Sequence, residues 1–235
     1  GMEFDPFDKL AVVDCGDCFF DHGRSEMTPD LIEEHAYKII EQGPGLLTLG
    51  GDHFIAYPLI KAHVRKHGGP LSLLHFDAHS DSWEDENDRI DHGTMFWWAA
   101  KQGLVDPATS VQIGLRTTNR DTLGFNIIDA PAVHEGGIDA VVSQARAVLG
   151  DRPVYLSFDI DCLDPSYAPG TGTPVCGGLT SHQSMAILRG LRGIDVVGMD
   201  IVEVAPVYDV GEITALAAVH LSMEMLYLYA SRPHG

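Results

Sequence analysis

LSLLHFDAHSD, residues 71–81, carries a strand and a candidate site in one stretch. Leu71 to Phe76 is nearly continuous in apolar character, the pattern of a parallel strand covered on both faces. Asp77, His79 and Asp81 follow at once. In extended chain alternate side chains share a side, so these three point the same way. Ligands of open parallel sheets bind beyond the carboxyl ends of the strands, which is where these residues stand.

Two further apolar runs end the same way. Residues 46–49 lead into Gly50-Gly51-Asp52-His53, and 154–158 lead into Asp159-Ile160-Asp161, then Asp164-Pro165. Strands are also predicted over 10–14, 111–115 and 196–199. Helical periodicity occupies 29–42, with Thr28 as N-cap, Pro29 at the first helical position and Gly43 as the stop. Other helices are predicted near 55–66, 138–149, 181–191 and 212–229. Alternating strands and helices give an α/β fold, a three-layer α/β/α sandwich with a mostly parallel sheet. At 235 residues a single domain over 1–235 is expected, with no internal repeat or linker. Gly1 ahead of Met2 reads as a cloning scar and is set aside.

His53, Asp77, His79, Asp81, Asp159 and Asp161 can converge at these strand ends. Four carboxylates packed together repel one another, and burying even one unpaired carboxylate costs several kcal/mol in effective terms. Divalent cations resolve the conflict. The donors exceed what one tetrahedral ion takes, whereas bridging carboxylates hold two ions about 3.5–4 Å apart. Four carboxylates with two imidazoles favour a hard octahedral ion such as Mn²⁺ over structural zinc. Taken singly, a His after a glycine pair or one Asp-x-Asp is more often a capped turn; the conjunction at three strand ends carries the argument.

Composition narrows the partners. A formal net charge of −19 argues against nucleic-acid binding, which needs clustered Lys and Arg, and suits a cationic ligand. No apolar run approaches the roughly 20 residues of a membrane helix, and no secretory leader is visible, so neither a membrane nor secretion is expected. Cys15, Cys18, Cys162 and Cys176 are too few for a disulfide framework; Cys15-x-x-Cys18 lacks a second such pair. Free thiols and a reducing cytoplasm are expected.

GGDHF at 50–54, DAHSD at 77–81, DHGTMF at 91–96, SFDIDCLDPSYAPGTGTPVCGGL at 157–179 and DIVEVAPVYD at 200–209 resemble the ureohydrolase family of arginases and agmatinases. The likeness runs from about Leu10 to Tyr229, and the phrase at 91–96 looks more like agmatinases. It implies two Mn²⁺ per subunit, one held by His53, Asp77, Asp81 and Asp159 and the other by Asp77, His79, Asp159 and Asp161. It also implies hydrolysis of a small cationic guanidino substrate by water activated between the ions. Asp81 would orient that water and relay its proton. By the same resemblance Glu203 binds the guanidinium group and His92 hands a proton to the leaving amine. Alone, Glu203 and His92 read as ordinary loop residues. The tight loop at 169–174 offers Thr173 as a hydrogen-bonding group for substrate. A homo-oligomer, trimer or hexamer, is implied as well.

Members of that family carry a further strand and helix ahead of the segment that begins here at Leu10. The chain has no room for them, so an unpaired sheet edge is expected. Substrate choice falls among agmatine, 4-guanidinobutyrate and arginine. The segment 82–91 contains Glu84, Asp85, Glu86, Asp88 and Asp91, which disfavour a substrate carboxylate; Arg89 is the residue able to rescue one. A two-metal phosphoesterase would need basic groups, for which Arg116 is the nearby candidate. A metal-stabilised interaction protein without turnover is the non-enzymatic alternative. Trp83, Trp97 and Trp98 are expected to pack in the core or at the rim.

Overall fold

In the computed structural model, which describes residues 2–21, 23–85, 87 and 89–233, six strands build one sheet. They are β1 (Leu47–Leu49), β2 (Ser72–Phe76), β3 (Val111–Ile113), β4 (Asn126–Ile128), β5 (Val154–Asp159) and β6 (Val196–Val202). Their order is β1-β6-β5-β2-β3-β4 and every pairing is parallel. The helices are α1 (Thr28–Ile40), α2 (Ala56–His67), α3 (Met95–Lys101), α4 (Ala130–Leu149), α5 (Ser181–Gly190) and α6 (Ile213–Ala230).

Both central strands are buried along their whole length, as their apolar sequences require. Alternation sends Leu73 and Tyr155 into one core with Ile40, Ile60 and Phe96, and so against α1, α2 and α3. Leu74, Phe76, Leu156 and Phe158 face the other core with Leu188 and Met225, against α4, α5 and α6. Phe76 and Phe158 stack at 4.9 Å directly before the strand ends that carry Asp77 and Asp159. Full burial of such a side chain contributes about 1.5–3 kcal/mol. The expected three-layer α/β/α arrangement is therefore present, with the carboxyl ends of β2 and β5 in register at its middle.

Several elements differ from the sequence reading. Residues 10–14 form no strand. An apolar run becomes a strand only where a neighbour pairs with its backbone, and this one has none: Val12 and Val13 are exposed. Leu10 packs on one core and Cys18 on the other, so the segment passes between the two layers. Among the described residues β1 pairs with β6 alone, leaving its outer edge open and Leu49 exposed. β4 and α3 were not predicted; each is too short for a clear period. α4 starts at Ala130 rather than 138, because Asp129 caps it through Ala132 N, and Gly137, at φ +77°, breaks it midway. The cap of α1 is Met27, with Thr28 already helical. Gly1, read as a scar, lies outside the described residues.

Contrary to the sequence reading, α6 is long and apolar enough to cross a membrane by length and composition. It packs against α5 and β6, and its buried Glu224 pairs with Arg189 of α5. The Arg189 guanidinium compensates the charge that Glu224 buries on this packed face.

Candidate metal centre

The register Phe76↔Phe158 makes Asp77 and Asp159 emerge side by side from β2 and β5. His53 joins them from the short turn after β1. Its Nδ1 lies 2.9 Å from Asp81 Oδ2, 3.2 Å from Asp77 Oδ2 and 3.3 Å from Asp159 Oδ2. All four residues are buried. None of these approaches has hydrogen-bond geometry, so His53 Nδ1 is a buried polar atom without a bonded partner. Three carboxylate oxygens crowded round an imidazole nitrogen that bonds to none of them suit a cation better than a proton.

A second group shares one member with the first. His79 Nδ1 stands 3.1 Å from Asp161 Oδ2 and 3.4 Å from Asp77 Oδ1. Asp77 thus turns Oδ2 toward His53 and Oδ1 toward His79. A carboxylate that presents a different oxygen to each of two donor groups is the arrangement that bridges two ions. The donor set, four carboxylates and two imidazoles, fits a pair of hard divalent cations.

Electrostatics agree with that fit. Burial, with the charge of Asp77 beside it, pushes the Asp159 carboxyl well above the usual carboxylate range. Asp81 is raised to about 7 by the same two causes. Burial opposes the charge on His79, but Asp161 and Asp77 outweigh it and lift the imidazole to about 10. Asp77 goes the other way: against the cost of its burial, His75, His53 and His79 hold it well below the ordinary range. Without cations the cluster offsets its charge with protons, which divalent ions would replace.

An outer layer fixes these ligands, and sequence reasoning missed it. His75 Nε2 donates to Asp77 Oδ2 at 2.8 Å while Nδ1 accepts from Gln112 Nε2 at 2.9 Å. Burial keeps that imidazole's pKa lowered, so it stays neutral and can do both. On the other side His53 Nε2 meets Ser157 Oγ at 2.8 Å; Ser157 and Tyr155 then donate to Asp200, each at 2.7 Å. Such partners hold ligand orientation and tautomer. The available signal was alternation: His75 and Asp77 share one side of β2, as Ser157 and Asp159 share one side of β5.

Glu203 follows β6 in a left-handed backbone conformation, φ +63°. Its Oε1 accepts the His53 N–H at 2.6 Å, and burial raises its carboxyl. His92 sits across from it, Nδ1 2.9 Å from Asp52 Oδ2, a hydrogen bond that raises the imidazole. Ligand-type atoms of Asp52, His92 and Glu203 lie within 4.8 Å of one another. Thr173, at the rim, spends its hydroxyl on Asp161 Oδ2 at 3.1 Å. Asp164 is the turn cap that its position before Pro165 suggests, accepting from Ser166, Gly177 and Gly178. Trp83 lies near His79 at the rim, and Trp97 packs edge-on against Trp98. Glu86 and Asp88 lie outside the described residues. The four cysteines are free thiols.

Arg116 is not available to a ligand. Its guanidinium donates to the carbonyls of Gly114, Asp161, Cys162, Leu163 and Val175, tying the loop after β5 to β3. Arg89 differs: its side chain is exposed, and Nε lies 2.8 Å from Asp85 Oδ2.

The profile of the Arginase family matches residues 1–227. The chain belongs to the Arginase family. As an arginase-family amidinohydrolase it is 55% identical over 231 residues to a protein of Chromobacterium violaceum called agmatinase, spanning 97% of this chain and 71% of that one. Its fold superposes with TM-score 0.94 on a hypothetical agmatinase from Burkholderia thailandensis, 55% identical, covering 97% and 72% of the two chains. A proclavaminate amidino hydrolase from Streptomyces clavuligerus follows at TM-score 0.92 and 37% identity, covering 96% and 77%. Agmatinase-like sequence and the buried His/Asp cluster thus occur together in one arginase-type fold.

Proposed function

We propose that the chain hydrolyses agmatine to putrescine and urea with two manganese ions. One would be held by His53, Asp77, Asp81 and Asp159, the other by Asp77, His79, Asp159 and Asp161. The observation that carries this reading is the two-sided Asp77, whose oxygens face different donor groups. When bound, the ions would offset the carboxylate charge and lower the pKa of water so that it can act as the nucleophile.

The protein's own groups do the rest. Glu203 binds the guanidinium: Oε1 is anchored on His53 N–H, and both oxygens keep a lone pair for a planar fork. Asp81 orients the attacking water and accepts its proton. His92 gives a proton to the leaving amine as the carbon–nitrogen bond breaks. Thr173 holds Asp161 in place at the rim, and its contact with substrate is secondary.

Substrate choice rests on charge. Arg89, the cation that could pair with a substrate carboxylate, already shares its charge with Asp85 through Nε, in a segment that also carries Glu84 and Asp91. An amine at the far end of the substrate is then favoured over a carboxylate. The relatives called agmatinase support the same choice. A phosphoesterase is disfavoured because Arg116 is spent on carbonyl oxygens. Urea release from agmatine, 4-guanidinobutyrate and arginine at identical Mn²⁺ loading tests the reading. The expected result is the highest kcat/KM for agmatine. A clear preference for either carboxylate-bearing compound would overturn it, and urea from none would favour a metal-stabilised protein without turnover.

A further inference from the structure

Asp52 divides its carboxylate between two tasks. Oδ1 accepts the Phe54 N–H at 2.9 Å and so caps the short turn that carries His53. Oδ2 reaches across to His92 Nδ1 at 2.9 Å. Because Oδ1 is held by the backbone, Oδ2 is a fixed acceptor. His92 has no such support of its own: it stands in an irregular loop with its side chain 61% exposed. Among the described residues this contact is the one hydrogen bond of its ring.

A neutral imidazole carries one proton, and the hydrogen bond made by one nitrogen decides which one carries it. A carboxylate at Nδ1 keeps the proton there and leaves Nε2 as the working nitrogen. We propose that Asp52 is a positioning residue: it locks His92 in the Nδ1–H form and presents Nε2 for the proton transfer to the leaving amine. The proposal rests on the reading of His92 as proton donor given above. In the step His92 acts as the imidazolium, its exposed ring having taken a proton from solvent at Nε2. The bond between guanidinium carbon and amine breaks, the amine nitrogen takes that Nε2 proton, and the ring returns to the neutral Nδ1–H form. Asp52 neither gains nor loses a proton. A His92 ring nitrogen and carboxylate oxygens of Asp52 and Glu203 lie within 4.8 Å of one another, so the ring stands beside the group that would hold the guanidinium.

Asp52→Asn separates the two tasks of Asp52. An asparagine oxygen can still cap Phe54 N–H, but its amide then presents N–H donors toward His92 Nδ1 and favours the Nε2–H tautomer. Nitrogen-15 NMR of the histidine rings in the metal-free full chain should show His92 changing tautomer. In the manganese-loaded enzyme kcat should fall by about the factor seen for His92→Ala, roughly 10²–10⁴-fold, with KM and metal content nearly unchanged. The double variant should be no slower than His92→Ala alone. An unchanged tautomer with wild-type kcat would overturn the proposal. So would lost manganese or an additive loss in the double variant, since Asp52 would then act through the His53 turn. If His92→Ala itself keeps wild-type kcat, the underlying reading of His92 fails, and the proposal with it.

Discussion

Glu203 Oε1 accepts the backbone N–H of His53 at 2.6 Å, so the carboxylate proposed for the guanidinium is anchored on the backbone of a proposed metal ligand. Sequence separates the two residues widely, and β1 and β6 bring them together by parallel pairing. Glu203→Gln removes the charge and keeps the shape. We expect it to retain its manganese and to lose tenfold or more in kcat/KM, because a charge-assisted pair is roughly twice as strong as a neutral one. Wild-type kinetics would remove Glu203 from the guanidinium site.

Metal removal should be visible in stability as well as activity. Ions that bind only the folded chain stabilise it by about 2.7 kcal/mol at a hundred times Kd, so chelation should lower Tm and Mn²⁺ should restore it. Asp159→Asn deletes a buried charge that faces His53. Elemental analysis should find two manganese ions per wild-type chain and fewer in the variant. One tightly bound zinc in fully active protein would contradict the two-ion centre.

Gly114 ends β3 at φ +98°, and a Cβ there would stand 2.6 Å from Cys162 Sγ and 3.1 Å from the Asp77 carbonyl oxygen. Gly114→Ala is strained by its backbone and pushes on the strand end that carries Asp77. A loss of about 1–3 kcal/mol is expected in urea unfolding. An unchanged midpoint would show that the loop yields freely.

Hydrogen bonds from Ser166, with Gly177 and Gly178 adding theirs, hold the Asp164 carboxyl at about 2. Its unfolded value is about 3.9, so the folded state binds this proton less readily. The stability from this group is complete above about pH 4 and is lost as pH falls toward 2. Asp164→Asn should therefore flatten the acid side of the stability curve. Urea midpoints at pH 6 and pH 3 measure it; equal slopes for variant and wild type would refute the assignment.

Apolar continuity is a local property, and it made the centre legible from sequence. Leu71 to Phe76 read as a buried strand whose carboxyl end carries Asp77, His79 and Asp81. Alternation does not run through those three: the chain bends at Ala78 and His79, Asp81 takes φ +50°, and the fold, not the pleat, brings the side chains together. The same strand-end logic read His53, Asp159 and Asp161. Tertiary structure decided what local pattern cannot encode. Whether 10–14 became a strand depended on a neighbour to pair with, and none was there. Gln112 on His75, Asp200 behind Ser157 and Asp52 against His92 join residues far apart in the chain, and each contact exists only because parallel pairing brought their strands or turns to one end of the sheet. Arg116 looked like a free cation from its place after β3. The fold surrounds it with carbonyl oxygens, because a loop turned back over a strand end needs a donor for the backbone groups it leaves unpaired.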